Sequence, residues 1–231
     1  MTLYAPFIKN LREQHKLSQT EVAEKINISR SSYIALEKGN KELTLSEADS
    51  LARFFGITVD ELMNASMPDY EKYTQMIFAF LRKAKETGTK VRKTKLAKLL
   101  YFADFASYYF HSKSISGMQY KKIDYGPVPD SYFRVFEELA EKAQIDVQTE
   151  IHTDGKSMYC ISANSVSERM PLNLLSSQEI SLIDRIWDKW KDANTQEIVQ
   201  YTHEQSPYKK TEYGQVISYD LIKEEQEEYV F

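Results

Sequence analysis

Apolar residues in the first 65 positions come in short clusters, each closed by a polar stretch, and they keep the three-and-four spacing of helices. Leu17, Val22, Ala23, Ile26, Ile28, Ile34 and Leu36 are set among polar neighbours in this way. Helix starts are legible as capping boxes, where a Ser or Thr side chain accepts from the third helical amide and a Glu reaches back to the cap. Four such pairs occur: Ser18 with Glu21, Thr44 with Glu47, Thr58 with Glu61, and Ser176 with Glu179. The first three divide the N-terminal stretch into short helices near 5–15, 18–25, 29–37, 45–55 and 58–64.

Pro68 ends this run, because the residue before a proline is pushed out of the helical region, and "NASMPDY" (64–70) reads as a linker. The expected division is residues 1–66, a linker at 67–70, and 71–231. Four longer helical stripes follow. They run through Tyr73, Met76, Ile77, Phe80, Leu81 and Ala84; through Leu96, Leu99, Leu100, Ala103, Ala106 and Phe110; through Tyr132, Phe133, Phe136, Leu139, Ala140 and Ala143; and through Ile180, Ile183, Trp187 and Trp190. Between them lie strand-like pieces. "MQYKKIDYG" (118–126) is short, "DVQTEIHTDGKSMYCIS" (146–162) alternates on both sides of an Asp154-Gly155 turn, and "YGQVISYDLI" (213–222) offers one more strand. The fold class predicted is mainly α, of the α+β kind: a five-helix N-terminal domain and a larger helical domain with a small antiparallel sheet.

Composition narrows the chemistry. The chain has 231 residues, 42% hydrophobic and 28% charged, which is ample for two cores. One cysteine, Cys160, excludes an internal disulfide, and His15, His111, His152 and His203 lack metal-ligand spacing, so no metal or cofactor is expected. Neither a signal-peptide core nor a membrane-length apolar run is present, and a cytoplasmic protein is expected. The net charge of −4 conceals an asymmetry. Residues 82–98 carry eight basic residues and one acid, whereas the stretch from Lys223 carries one basic residue and four acids. The basic run has three readings: a solvated helix face and loop, with 86–93 as the loop; added phosphate contacts; or a grip on an acidic partner. The first is the usual fate of such runs.

The stretch "LSQTEVAEKINISRSSYIALEKGNK" (17–41) places polar residues at the start of two successive helices and Gly39 after the second, where a left-handed cap is needed. With "LSEADSLARFFGITVDEL" behind it, the segment resembles the Cro/repressor-type (Xre-like) helix-turn-helix family across residues 5–64. The resemblance implies a second helix whose N-terminal residues enter the major groove. By position it puts Gln19 on a phosphate, Arg30 and Ser31 at base edges beside Ser29, and Ser32, Lys38 and Asn40 near the backbone. An Arg facing bases favours guanine O6 and N7. Operator DNA, bound as a dimer, is the partner so implied.

Residues 72–220 hold no phosphate loop, no nucleophile elbow and no zinc spacing. Glu137-Glu138 and Asp184 with Asp188 read as solvated faces, His203 as a capping or packing residue, and Cys160 as a small buried hydrophobe. No catalytic residue is expected, and the chain is not read as an enzyme. "KLAKLLYFADFASYYF" (95–110), "YGPVPDSYFRVFEEL" (125–139), "LSSQEISLIDRIW" (175–187) and "YTHEQSPYKKTEYGQVISYD" (201–220) resemble the Panacea domain, which is related to the SocA-like proteolysis-adaptor antitoxins. Tyr208 stands where that family often has Trp. The resemblance implies an antitoxin that neutralises a protein toxin by direct contact and represses its own operon. Tyr108, Tyr125, Pro127 and Tyr132, around the Gly-Pro turn, are the candidate partner contacts, because tyrosine buries area at low entropic cost. A phage regulator with an oligomerisation or ligand domain, and a proteolytic adaptor, are the alternatives.

Overall fold

The computed structural model describes residues 4–55, 57, 59–63, 65, 68–129, 132–151 and 157–231. The chain divides into two compact units, Met1–Met67 and Pro68–Phe231. The box at Thr58, the linker positions 64, 66 and 67, His152, and the Asp154-Gly155 turn lie outside the described residues.

In the first unit, helices α1 (Tyr4–Gln14), α2 (Gln19–Lys25), α3 (Arg30–Glu37), α4 (Leu45–Phe55) and α5 (Val59–Met63) enclose one core. Ser18 makes its capping box with Glu21, and Thr44 exchanges both bonds with Glu47. Between α2 and α3 the chain reverses through Asn27 in the left-handed region (φ 57°), with Asn27 N–H donating to Glu24 O and Ile28 N–H to Ala23 O. Gly39 (φ 70°) closes α3 in the same way, through Gly39 N–H to Leu36 O and Asn40 N–H to Ala35 O. Both are Schellman caps, which need a residue tolerant of positive φ. Val22, Ala23, Ile26 and Leu36 are buried, whereas Leu17, Ile28 and Ile34 are half-buried, and Tyr33 takes a core place instead.

The second unit is built around a central helix. Its elements are α6 (Tyr70–Glu86), β1 (Val91–Arg92), α7 (Lys93–His111), β2 (Tyr120–Lys121), β3 (Val128–Pro129), α8 (Tyr132–Glu141), β4 (Ile145–Ile151), β5 (Ser157–Ala163), α9 (Ser165–Arg169), α10 (Ser177–Trp190), α11 (Thr195–Glu204) and α12 (Ser206–Lys210). Every residue of α7 from Lys95 to Ser107 is buried, so it is covered on all sides rather than amphipathic. β1, β5 and β4 form an antiparallel sheet in the order β1-β5-β4, and β2 pairs with β3.

Four expectations need correction. Residues 213–222 add no strand: Val216 makes a single bridge to Lys121, and the chain then turns into a 3₁₀ helix at Tyr219–Glu224, started by Ser218. In α8 the buried stripe is Tyr132, Val135, Phe136 and Leu139, while Phe133 and Ala140 face out and Ala143, beyond the end of the helix, is exposed. The basic run is not uniformly solvated, since Lys95 and Lys98 are 4% and 0% exposed. Lys95 Nζ caps the end of α10, donating to Lys191 O (2.8 Å) and Ala193 O (2.6 Å), and Lys98 Nζ donates to Pro127 O at 2.7 Å. The loop expected at 86–93 holds the two-residue strand β1, paired to Cys160 and Ile161.

Candidate nucleic-acid interface

The tight turn fixes how α3 is presented. Ser29 caps it, its Oγ accepting from Ser32 N at 3.1 Å and lying 2.9 Å from Ser31 Oγ. Ser29, Arg30, Ser31, Lys38 and Asn40 are exposed and Ser32 is half-buried, so the N-terminal end of α3 faces solvent. Among the described residues Lys41 is paired with Glu47 and Arg53 with Asp49, and no carboxylate pairs with Arg30 or Lys38. The positive end of the α3 dipole and the Arg30 guanidinium therefore stand together at the N-terminal end of the helix, while Lys38 is exposed at its C-cap.

Glu37, at the end of α3, is buried. Its carboxylate accepts from Arg12 Nε (2.6 Å), Arg12 Nη2 (3.2 Å) and Gln19 Nε2 (2.8 Å), while Arg12 Nη1 donates to Leu17 O (3.0 Å). Burial alone would raise the Glu37 pKa, but the bonds from Arg12 and Gln19 outweigh it and hold the carboxyl below its usual value. The cluster ties α1, α2 and α3 together. Gln19 is half-buried, with one amide hydrogen committed to Glu37 and the other left for a further acceptor. Arg12 and Glu37 lie 25 positions apart, and no local pattern relates them.

In the second unit the candidate contacts separate. Tyr125 is 67% exposed. Tyr108 is half-buried and its hydroxyl donates to Asp220. Pro127 and Tyr132 are buried, the latter donating to Lys93 O, so neither offers exposed anchor area. Fully buried Asp104 accepts from Ser116 N (2.7 Å), Ser116 Oγ (2.5 Å) and Tyr120 Oη (2.8 Å), and burial pushes its carboxyl up to about 6 against those bonds. His203 stacks on Tyr208 with ring centres 4.2 Å apart, and burial beside Lys98 and Lys122 lowers its pKa. No group of three or more metal-ligating side chains occurs among the described residues, and none of their helices is long and apolar enough to cross a membrane.

A family model described as Helix-turn-helix matches residues 8–62, and one described as Antitoxin SocA-like, Panacea domain, matches residues 96–209. An uncharacterized HTH-type transcriptional regulator of Methanocaldococcus jannaschii is 36% identical over 55 residues, 24% of this chain and 83% of that protein. The chain belongs to the helix-turn-helix family and carries a Panacea domain. The cryptic phage CTXphi transcriptional repressor RstR of Vibrio cholerae is 34% identical over 64 residues, 28% of this chain and 58% of that protein. The uncharacterized HTH-type transcriptional regulator YobD of Bacillus subtilis is 33% identical over 82 residues, 35% of this chain and 73% of that protein. No solved structure matches the chain. A helix-turn-helix of this family implies operator DNA as a ligand, and an antitoxin-type Panacea domain implies a protein partner.

The Panacea match spans three buried features from different segments. Lys98 of "KLAKLL" bonds the carbonyl of Pro127 in "YGPV", and a Cβ on Gly126 would meet both Lys98 and Thr202, the neighbour of His203. Lys98, Gly126, Pro127 and Thr202 thus hold these three segments in place from inside the unit.

Proposed function

We propose that the protein is an antitoxin that neutralises a cognate protein toxin by direct contact and represses its own operon through its helix-turn-helix. In this reading residues 67–70 link a DNA-binding domain (1–66) to a toxin-binding domain (71–231). One observation carries it: a single chain joins a helix-turn-helix, with the start of α3 free to solvent, to a SocA-like Panacea domain. The matched families are regulatory, and the work assigned to this chain is binding, not catalysis.

On DNA, Arg30 and Ser31 meet base edges beside Ser29, whereas Gln19, Ser32, Lys38 and Asn40 position the module on phosphates, with two copies reading two half-sites. Arg30→Ala should cost about 1–3 kcal/mol on the operator and relax sequence preference, while Lys38→Ala weakens binding evenly and reduces the salt slope by about one. Equal loss on operator and random duplex for Arg30→Ala refutes the assignment. For the toxin, the adjacent open reading frame is expressed with and without this protein. Growth arrest relieved by co-expression supports the antitoxin reading. A toxic neighbour that the full chain does not relieve shifts the choice to a phage-type transcriptional regulator, the reading favoured by the likeness to the CTXphi repressor.

A further inference from the structure

We propose that a pocket at the start of α7 receives an acidic segment with an aromatic side chain, contributed by the protein partner; the inference rests on the antitoxin reading. The basic run points to the place. Arg82 donates to the carbonyls of Ser167 and Met170, Lys83 pairs with Asp184, Lys85 with Glu168 and Lys90 with Glu150, and Lys95 and Lys98 are buried. Among the described residues Arg92 and Lys93 alone in this run have neither an ion pair nor a hydrogen bond from the charged group to a carbonyl.

These two cations border a cavity of about 340 Å³ that also meets Tyr125, Phe133, Met158 and Tyr159, with no acid among its described lining residues. Tyr125, Phe133 and Tyr159 are 67%, 53% and 47% exposed, a grouping of large rings in water beside unpaired charge. The Lys93 ammonium lies 4.7 Å from the centre of the Phe133 ring, and burial lowers its pKa against the pull of Glu137. It is a cation partly stripped of water, with no carboxylate in ion-pair contact among the described residues. Arg92 caps the nineteen-residue α7 without a side-chain bond, so the positive end of that helix adds to the same field. β1 covers only Cys160 and Ile161 of β5, which leaves the backbone of Ser157–Tyr159 unpaired on that side among the described residues. An extended partner segment therefore finds a strand edge, two cations and an aromatic rim together. A nucleic acid strand requires a longer track of free cations, and the neighbours of Arg92 and Lys93 in the run are already committed.

The test uses the full-length protein and a fluorescein-labelled peptide alternating Asp or Glu with Phe, read by anisotropy, with a lysine counterpart and a single-stranded oligothymidine as competitors. Arg92→Glu and Phe133→Ala, both exposed positions, should each weaken peptide binding roughly tenfold or more and reduce relief of toxic growth arrest, and neither competitor should displace the peptide. Displacement by oligothymidine assigns the pocket to nucleic acid and overturns the proposal. Relief of arrest undiminished in both variants also overturns it while the antitoxin reading stands. Peptide binding that depends on Arg92 and Phe133, in a protein that relieves no arrest, sinks the antitoxin reading and leaves the acidic-peptide site.

Discussion

Gly126→Ala probes the packing at the centre of the Panacea domain. Gly126 closes the turn from Ile123, donating to Ile123 O at 2.9 Å, with φ at +83°. A Cβ there would lie 2.7 Å from Thr202 Oγ1, 2.9 Å from Lys98 Cε and 3.1 Å from Lys98 Nζ. Holding alanine at that φ costs about 1–2 kcal/mol, and inserting a methyl into filled space costs about 1–3 kcal/mol. Lys98 has little room to yield, because it is fully buried and its Nζ donates to Pro127 O. The expected loss is about 2–5 kcal/mol. Both tryptophans, Trp187 and Trp190, lie in the Pro68–Phe231 unit, so tryptophan fluorescence, excited selectively over tyrosine, reads that unit alone during urea unfolding. The steric part is isolated by a double-mutant cycle. Thr202→Ala removes the nearest atom and should recover about 1 kcal/mol in the Gly126→Ala background, whereas Thr202→Ser, which keeps the hydroxyl, should recover nothing. A Gly126→Ala protein within about 0.5 kcal/mol of wild type, or identical costs with Ala and Thr at position 202, would falsify the account.

Glu37→Gln leaves half-buried Arg12 without its carboxylate and should destabilise the first unit by about 1–3 kcal/mol at neutral pH; thermal unfolding followed by amide exchange of α1 to α3 checks it. The folded Glu37 carboxyl is held low, so its stabilisation is present above the unfolded value near ~4.3 and is lost as pH falls through the folded one. The gap between wild type and Glu37→Gln should therefore close only in acid. Asp104 has the opposite sign. Its folded value of about 6 exceeds the unfolded ~3.9, so its contribution is full below the lower value and is lost as pH rises through the upper. Relative to Asp104→Asn, the wild-type second unit should lose up to about 3 kcal/mol between pH 4 and 7 by tryptophan-monitored unfolding, and a flat difference across that range contradicts the reasoning. At the turn before α3, Asn27→Gly should be neutral or stabilising and Asn27→Val should cost about 1–2 kcal/mol, both read by melting temperature. Equal effects of the two substitutions rule out the positive φ as the constraint.

Features governed by neighbours within about four positions were legible in the chain itself. The boxes of Ser18, Thr44 and Ser176 are contacts between a side chain and a backbone three residues away, and the order of residues from Leu17 to Gly39 dictates two helices around a left-handed turn. The boxes opened by Asn164 and Asn194 use the same chemistry with asparagine as the cap, and a search confined to Ser and Thr passes them by. The resemblances to the helix-turn-helix family and the Panacea domain rested on similar local strings, and both are present. What no local string encodes is which charges go inside. Arg92, Lys93, Lys95 and Lys98 are alike in sequence, yet the first is exposed, the second half-buried and the last two fully enclosed. The outcome depends on acceptors brought from residues 127, 191 and 193. In the same way Glu37 is polar in the local pattern and buried in the fold, since Arg12 arrives from another helix to neutralise it. A buried charge is tolerated only where distant segments supply its partners, so its fate is decided by tertiary contact.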